Sequence, residues 1–264
     1  MTGGVLLLAI QTHPSHEVPH ISRPARPRGR LGSQWLTRRP GHQHTRPPAS
    51  NNTPNNTSAP ATCDCKGARA ATNDAAASTT YLCGDARLGP VQLPTKLPLG
   101  SFVATYNRLG SSSISVDEFL RAWTDPATGE YKKPPRNGFM RDVDGNGING
   151  TMQLEVGTLI DRFGDEDGEY VLAASAPFSQ RSLPPSNLDT DPSSPDFPYG
   201  YHLYRVVRPF SVSGGPIAPW YGQPGLGAQF YTGDVGSIKK LLAVGYIERQ
   251  DPAVLVTRAQ GVCT

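Results

Sequence analysis

The chain reads as an α+β protein: a mostly antiparallel β-sheet core with a few flanking helices, preceded by a disordered N-terminal tail. Three observations point there. Short strand-like segments recur at 152–160, 169–173, 201–207 and 253–258, the clearest being Tyr201-His-Leu-Tyr-Arg-Val-Val207, rich in β-branched and aromatic residues. Two brief helical patterns flank them. The composition also breaks sharply near residue 62, where a polar, Pro- and Arg-rich stretch gives way to mixed apolar patterning.

The first helix follows from Ser115-Val-Asp-Glu118, a capping box ahead of Phe119, Leu120 and Trp123, which predicts a helix over about 115–123. Residues 124–150 carry Pro126, Gly129, Pro134, Pro135, Gly138, Gly145 and Gly147, which is loop chemistry. A second helix is predicted from Asp234 to Val244. Ile238, Leu241 and Leu242 share its apolar face, and Gly245 ends it.

Charge separates the tail from the rest. Residues 1–62 hold seven arginines and one acid, a balance of +6, whereas the remainder holds 18 basic and 21 acidic residues, a balance of −3. The basic pI therefore belongs to the tail and gives no reason to expect a nucleic-acid groove in the folded part. Residues 11–62 lack the apolar runs needed to offset ordering entropy, so 1–62 is expected to be disordered. Residues 63–150 then read as a cysteine-bearing N-terminal subdomain and 151–264 as a second, strand-rich domain.

All four cysteines, Cys63, Cys65, Cys83 and Cys263, lie beyond the tail, which suits two disulfides and an oxidising compartment. Direct Cys63–Cys65 pairing would close a very tight ring, so each is expected to pair with Cys83 or Cys263, stapling the C-terminus to the start of the domain. Reduced thiols in a cytosolic protein are the alternative. A zinc site has little to draw on, since His202 is the only histidine after residue 44. Sequons at Asn51, Asn55, Asn56 and Asn149 agree with secretion or a surface location. Gly4–Ile10 is a minimal leader, without a preceding basic residue or a clean cleavage site. No run reaches the ~18 apolar residues of a membrane span.

The chemistry is expected in three segments. Ala218-Pro-Trp-Tyr-Gly-Gln-Pro-Gly-Leu-Gly-Ala-Gln-Phe230 holds three glycines and two prolines, so it fits neither helix nor alternating strand. It nevertheless carries Trp220, Tyr221, Phe230 and Gln229. That is a shaped, ligand-holding loop or a well-packed connection between strands. Leu159-Ile-Asp-Arg-Phe-Gly164, followed by Gly168-Glu-Tyr170, delivers Arg162 and Phe163 to one strand end, suited to phosphate and a flat ring. Pairing of Arg162 with Asp161 is the plainer alternative. Pro177-Phe-Ser-Gln-Arg-Ser-Leu-Pro-Pro185 holds Arg181 on a proline-stiffened segment, where an exposed arginine would be the plainer reading.

In this order, with Tyr-x-x-Tyr-x-Val and Leu-Leu-x-x-Gly-Tyr interleaved, these segments resemble the tuberculosis-necrotizing-toxin-like NAD glycohydrolases over about residues 151–250. The cysteine-bearing part is similar to their secreted fungal members. The resemblance implies hydrolysis of NAD to nicotinamide and ADP-ribose, with NADP left open as a second substrate, and it implies a homodimer. The family's important positions fall on Arg162, Phe163, Arg181 and Gln229. Arg162 and Arg181 would clamp the diphosphate, Phe163 would pack at the nicotinamide–ribose end, and Gln229 would bond ribose, carboxamide or water. Tyr170 and Trp220 are expected as further substrate-binding residues, and Gln229 and Arg162 as the catalytic pair. Positively charged nicotinamide is already a good leaving group, so grip and orientation matter more than proton transfer.

No metal or cofactor is required by this chemistry. Calcium is left open as a structural or modulating ion, because fungal members are similar in carrying it. Asp142-Val-Asp-Gly-Asn-Gly147 copies the first half of a calcium loop, but Gln153 stands where a bidentate Glu is expected, so a Gly/Asp-rich turn is the reading. Glu248 and Asp251 are further candidates. The histidine of the bacterial pocket is not carried over, and His202 is read as a sheet or core residue. Two alternatives remain: an ADP-ribosyltransferase or cyclase on the same substrate, and a non-catalytic cell-wall or adhesion module.

Overall fold

The computed structural model describes residues 64–69 and 75–256, all within one compact unit. Cys65 and Cys83 form a disulfide across a separation of 18 residues. This is one of the pairings the sequence left open; Cys63 and Cys263, the tail and three of the four sequons lie outside the described residues.

Helix α1 (Ala75–Thr80), α2 (Leu99–Val103) and α3 (Val116–Trp123) precede the sheet. The capping box forms as expected: the Glu118 amide donates to Ser115 Oγ at 3.2 Å, and the Ser115 amide donates to Glu118 Oε2 at 2.9 Å. Val116, Phe119 and Leu120 face inward against Leu88 and Tyr221.

Seven strands follow: β1 (Gly150–Leu154), β2 (Leu159–Phe163), β3 (Tyr170–Ala173), β4 (Tyr201–Val206), β5 (Phe210–Pro216), β6 (Ala228–Tyr231) and β7 (Ile247–Gln250). All neighbours are antiparallel, in the order β1-β5-β6-β3-β2-β4-β7. The expected α+β class is what forms. β1 pairs β5 through Leu154↔Phe210, and β2 pairs β4 in the same register through Leu159↔Arg205. One long two-stranded ladder is thus bent in the middle, and β3 and β6 bridge its two arms, which curls the sheet.

The predicted strand 152–160 is therefore two strands. Residues 155–158 turn at Gly157 (φ 90°), with the Thr158 amide bonded to the Glu155 carbonyl at 3.1 Å, and Val156 is exposed. The predicted strand 253–258 is also corrected. Pro252–Leu255 is a single 3-10 turn capped by Asp251, and the edge strand is β7, just before it. β5 escaped prediction because Gly214, Gly215 and Pro216 dilute its pattern, and β6 because it is only four residues long. Gly214 and Gly215 lie where β1 crosses closely: a Cβ would collide with Met152 Sδ at the first and with the Ile148 carbonyl at the second. Helix α4 (Ile238–Ala243) is shorter than expected, starting at the Ser237 cap, with Gly245 (φ 71°) following its end.

The sheet is covered on both faces. Ile160, Val171, Tyr204, Val206, Phe210, Val212 and Phe230 pack with Ile238 and Leu241 of α4. Phe163, Tyr201 and Leu203 pack on the other side with Phe102 and Val103 of α2, Phe178 and Leu188. Among the described residues no helix is long and apolar enough to cross a membrane.

Candidate active site

Residues of three neighbouring strands, Arg162 and Phe163 of β2, Tyr170 and Leu172 of β3 and Gln229 of β6, line one pocket of about 470 Å³, the size of a small-molecule site. Register explains the convergence. Asp161 is level with Leu172, and Leu172 with Gln229, so cross-strand neighbours put these three side chains on one face. Arg162, Phe163, Tyr170, Arg181 and Gln229 all line the pocket.

The two arginines differ completely in state. Arg181 is fully buried and paired: Nη1 and Nη2 donate to the Asp161 carboxylate at 2.6 and 2.8 Å, and Nε and Nη2 donate to the Ala176 carbonyl at 3.0 and 2.8 Å. Asp161 also accepts from the Tyr201 hydroxyl at 3.0 Å and the Ser175 amide at 3.1 Å. The diphosphate clamp expected of Arg181 is thus already filled from within by Asp161. Among the described residues Arg162 makes one hydrogen bond, from Nη1 to the Tyr170 carbonyl at 2.8 Å, and its buried Nε has no partner. Burial pulls its pKa down, but a guanidinium stays charged, so a cation short of acceptors faces the pocket. Gly168 gives it room: a Cβ there would sit 2.6 Å from Nη1.

Phe163 is buried edge-on to Phe178 at 5.0 Å, and Arg181 lies over its ring at 4.9 Å. Gln229 is 8% exposed, and its Nε2 donates to the Asn137 carbonyl at 2.8 Å. Trp220 stands apart. Its indole packs on Trp123 at 5.1 Å and donates to the Lys132 carbonyl at 2.9 Å, and it is not part of the pocket lining. Tyr221 is the loop aromatic that reaches the pocket, at φ 50°; its hydroxyl also donates to Lys132 at 2.9 Å, and burial lifts its pKa to about 12.

The loop 218–230 is pinned along its length. The Ser182 hydroxyl donates to the Ala218 carbonyl at 2.7 Å, and the Gly227 amide donates to Gln180 at 3.0 Å. It is both a packed connection and a site wall. Sequence reasoning did not single out Tyr221 as lining, nor Lys133, Pro134, Asn137 and Gly138, which lie before residue 151 and complete the wall. Glu169 joins the lining as well. Their only sequence signal was a Pro-Pro-x-x-Gly turn.

His202 is buried in β4 opposite Arg162, with Phe197 against its ring at 4.2 Å, as expected of a sheet residue. Burial lowers its pKa. Asp142 closes its own turn, accepting from the Asp144 and Asn146 amides at 3.0 and 2.8 Å. Glu248 accepts from Gln250 at 3.0 Å, and Asp251 from the Ala253 amide at 2.8 Å. Among the described residues no group of three or more His, Cys, Asp or Glu side chains is placed to hold a metal ion.

Residues 153–250 match the tuberculosis necrotizing toxin family. The conidial surface nicotinamide adenine dinucleotide glycohydrolase of Aspergillus fumigatus is 48% identical over 174 residues, which cover 65% of this chain and 72% of that protein. Among solved structures, the tuberculosis necrotizing toxin complexed with its immunity factor aligns at TM-score 0.35 and 17% identity, covering 61% of this chain and 92% of its own. Rhs1-CT in complex with its cognate immunity protein aligns at 0.29 and 14%, covering 44% and 88%. At those scores neither structure carries an argument about this chain. The identity to the fungal protein over most of its length does: the chain belongs to the tuberculosis necrotizing toxin family, in its fungal glycohydrolase branch.

Proposed function

We propose that the protein is a secreted or cell-surface NAD glycohydrolase, which splits NAD into nicotinamide and ADP-ribose. The observation that carries the reading is Arg162, a half-buried guanidinium whose buried Nε has no partner among the described residues, in a pocket of substrate size. Such a group is costly to leave unpaired and is complementary to phosphate oxygens. The 48% identity to a fungal NAD glycohydrolase supports the substrate and the surface location.

In this reading Arg162 grips the diphosphate, while Arg181, neutralised by Asp161, shapes the wall rather than binding charge. Tyr170 and Tyr221 border the flat ring. The bond from ribose C1′ to the pyridinium nitrogen breaks with its electron pair going to nitrogen, which leaves neutral nicotinamide. Water then adds to C1′ and releases one proton. Gln229 accepts a hydrogen bond from that water or from a ribose hydroxyl through Oε1. A homodimer and cleavage of NADP are further parts of the proposal, drawn from the resemblance to the fungal enzymes.

Nicotinamide release from NAD by the full chain, with Gln229→Ala alongside and with calcium added or omitted, tests the reading. Release that falls about a hundredfold in the variant supports it, the size expected for a positioned catalytic amide. No release by the folded, disulfide-bonded protein would favour a non-catalytic module. Cyclic ADP-ribose as main product would favour the cyclase.

A further inference from the structure

We propose that Asn137 is a positioning residue for Gln229, held by a left-handed strap at 133–138 that belongs to the active site although it precedes the family-matched region. The inference rests on Gln229 being the catalytic amide.

An amide side chain can meet substrate with its oxygen, as acceptor, or with its NH2, as donor. A backbone carbonyl only accepts, so the contact from Asn137 O at 2.8 Å must be to Nε2, and Oε1 is left for the ligand. No hydrogen bond to Oε1 forms among the described residues. The strap thus selects which end of Gln229 meets the reacting centre. Its carbonyl points there because Arg136, Asn137 and Gly138 are all left-handed, at φ 53°, 55° and 77°. Two successive non-glycine residues in that region need surrounding structure to hold them. That structure is present. The Ala218 amide donates to the Gly138 carbonyl at 2.8 Å, the Met140 amide donates to Pro216 at 2.8 Å, and Phe139 bridges Ile217. Gly138 lies against the amide itself; a Cβ there would be 3.6 Å from Oε1 and 3.7 Å from Nε2.

Asn and Gly take the left-handed conformation readily, whereas a β-branched residue does not. Asn137→Gly and Asn137→Val are compared in the full chain, each alone and with Gln229→Ala, by kcat and KM for NAD and by thermal melting. The expected result is kcat down about tenfold for the Val variant and a clearly smaller loss for the Gly variant, with KM changed far less than kcat by the Val substitution. In the Gln229→Ala background the Val change adds nothing. Gly138→Ala, which has room for its methyl but opposes φ, reproduces the loss should the Val variant fold poorly. Equal losses for Gly and Val, or a Val effect that persists without Gln229, would overturn the inference. Wild-type turnover by Gln229→Ala alone would instead overturn the site reading on which it rests.

Discussion

The two arginine-bearing walls of the pocket contain the same side chain in opposite conditions. On the β2 end, Arg162 has one acceptor and a buried Nε with none. On the wall after β3, Arg181 has both its forks filled by Asp161 and Ala176 and lies across the Phe163 ring. One guanidinium has its acceptors from the protein; in the proposed reading a ligand supplies those of the other. A sequence pattern that marks both arginines alike does not separate scaffold from binding group; the partner count does.

The largest effect that would break this contrast is on stability. Arg181→Met strands the Asp161 carboxylate in the core and is expected to cost about 3–5 kcal/mol, lowering Tm by about 10 °C. Adding Asp161→Leu should recover part of that loss in a melting experiment, not all of it, because the Tyr201 hydroxyl and the Ser175 amide lose their acceptor. A Tm unchanged in Arg181→Met would mean the pair is not the scaffold described.

Gly168→Ala should act in the opposite way. The new methyl meets the tip of the Arg162 side chain, which can swing aside, so folding is barely affected. Turnover depends on where that tip lies and should fall about tenfold. Steady-state kinetics beside a melt would separate the two; a large Tm loss with normal kcat/KM would contradict the reading of Gly168.

The smallest effect concerns pH. Asp189 has a buried Oδ1 without a partner, and burial raises its pKa from 3.8 to about 7. The folded chain therefore holds a proton that the unfolded chain releases between those values, and this stabilisation, complete at low pH, is lost as pH rises through the window. Asp189→Asn should match the wild type near pH 4 and melt about 3 °C higher near pH 8. Equal Tm values at both would show that the carboxyl is solvated.

Much of the fold was legible where local chemistry decides it. The α3 capping box and the β-branched run of β4 needed no partner to be recognised. β5 was hidden because Gly214 and Gly215 answer to the close approach of Met152 and Ile148, a tertiary demand with no local signature. The strand at 152–160 was half right, since β1 and β2 share one register but part at Gly157. Of the pocket lining, Arg162, Phe163, Tyr170, Arg181 and Gln229 lie in the spaced motifs that the sequence singles out. Trp220 was not distinguishable from Tyr221, because which aromatic of a loop turns inward depends on the backbone at Tyr221, not on residue type. The pairing of Arg181 with Asp161 joins residues from separate segments, and the role of Asn137 lies in its carbonyl, which every residue possesses.

The central claim is that Arg162 is the open phosphate grip. It is tested most directly by kcat/KM for NAD and for nicotinamide riboside, which lacks the diphosphate, in wild type and Arg162→Met. The account predicts a loss of about a hundredfold or more on NAD and little change on the riboside. An equal loss on both substrates would contradict it and place Arg162 at the ribose instead.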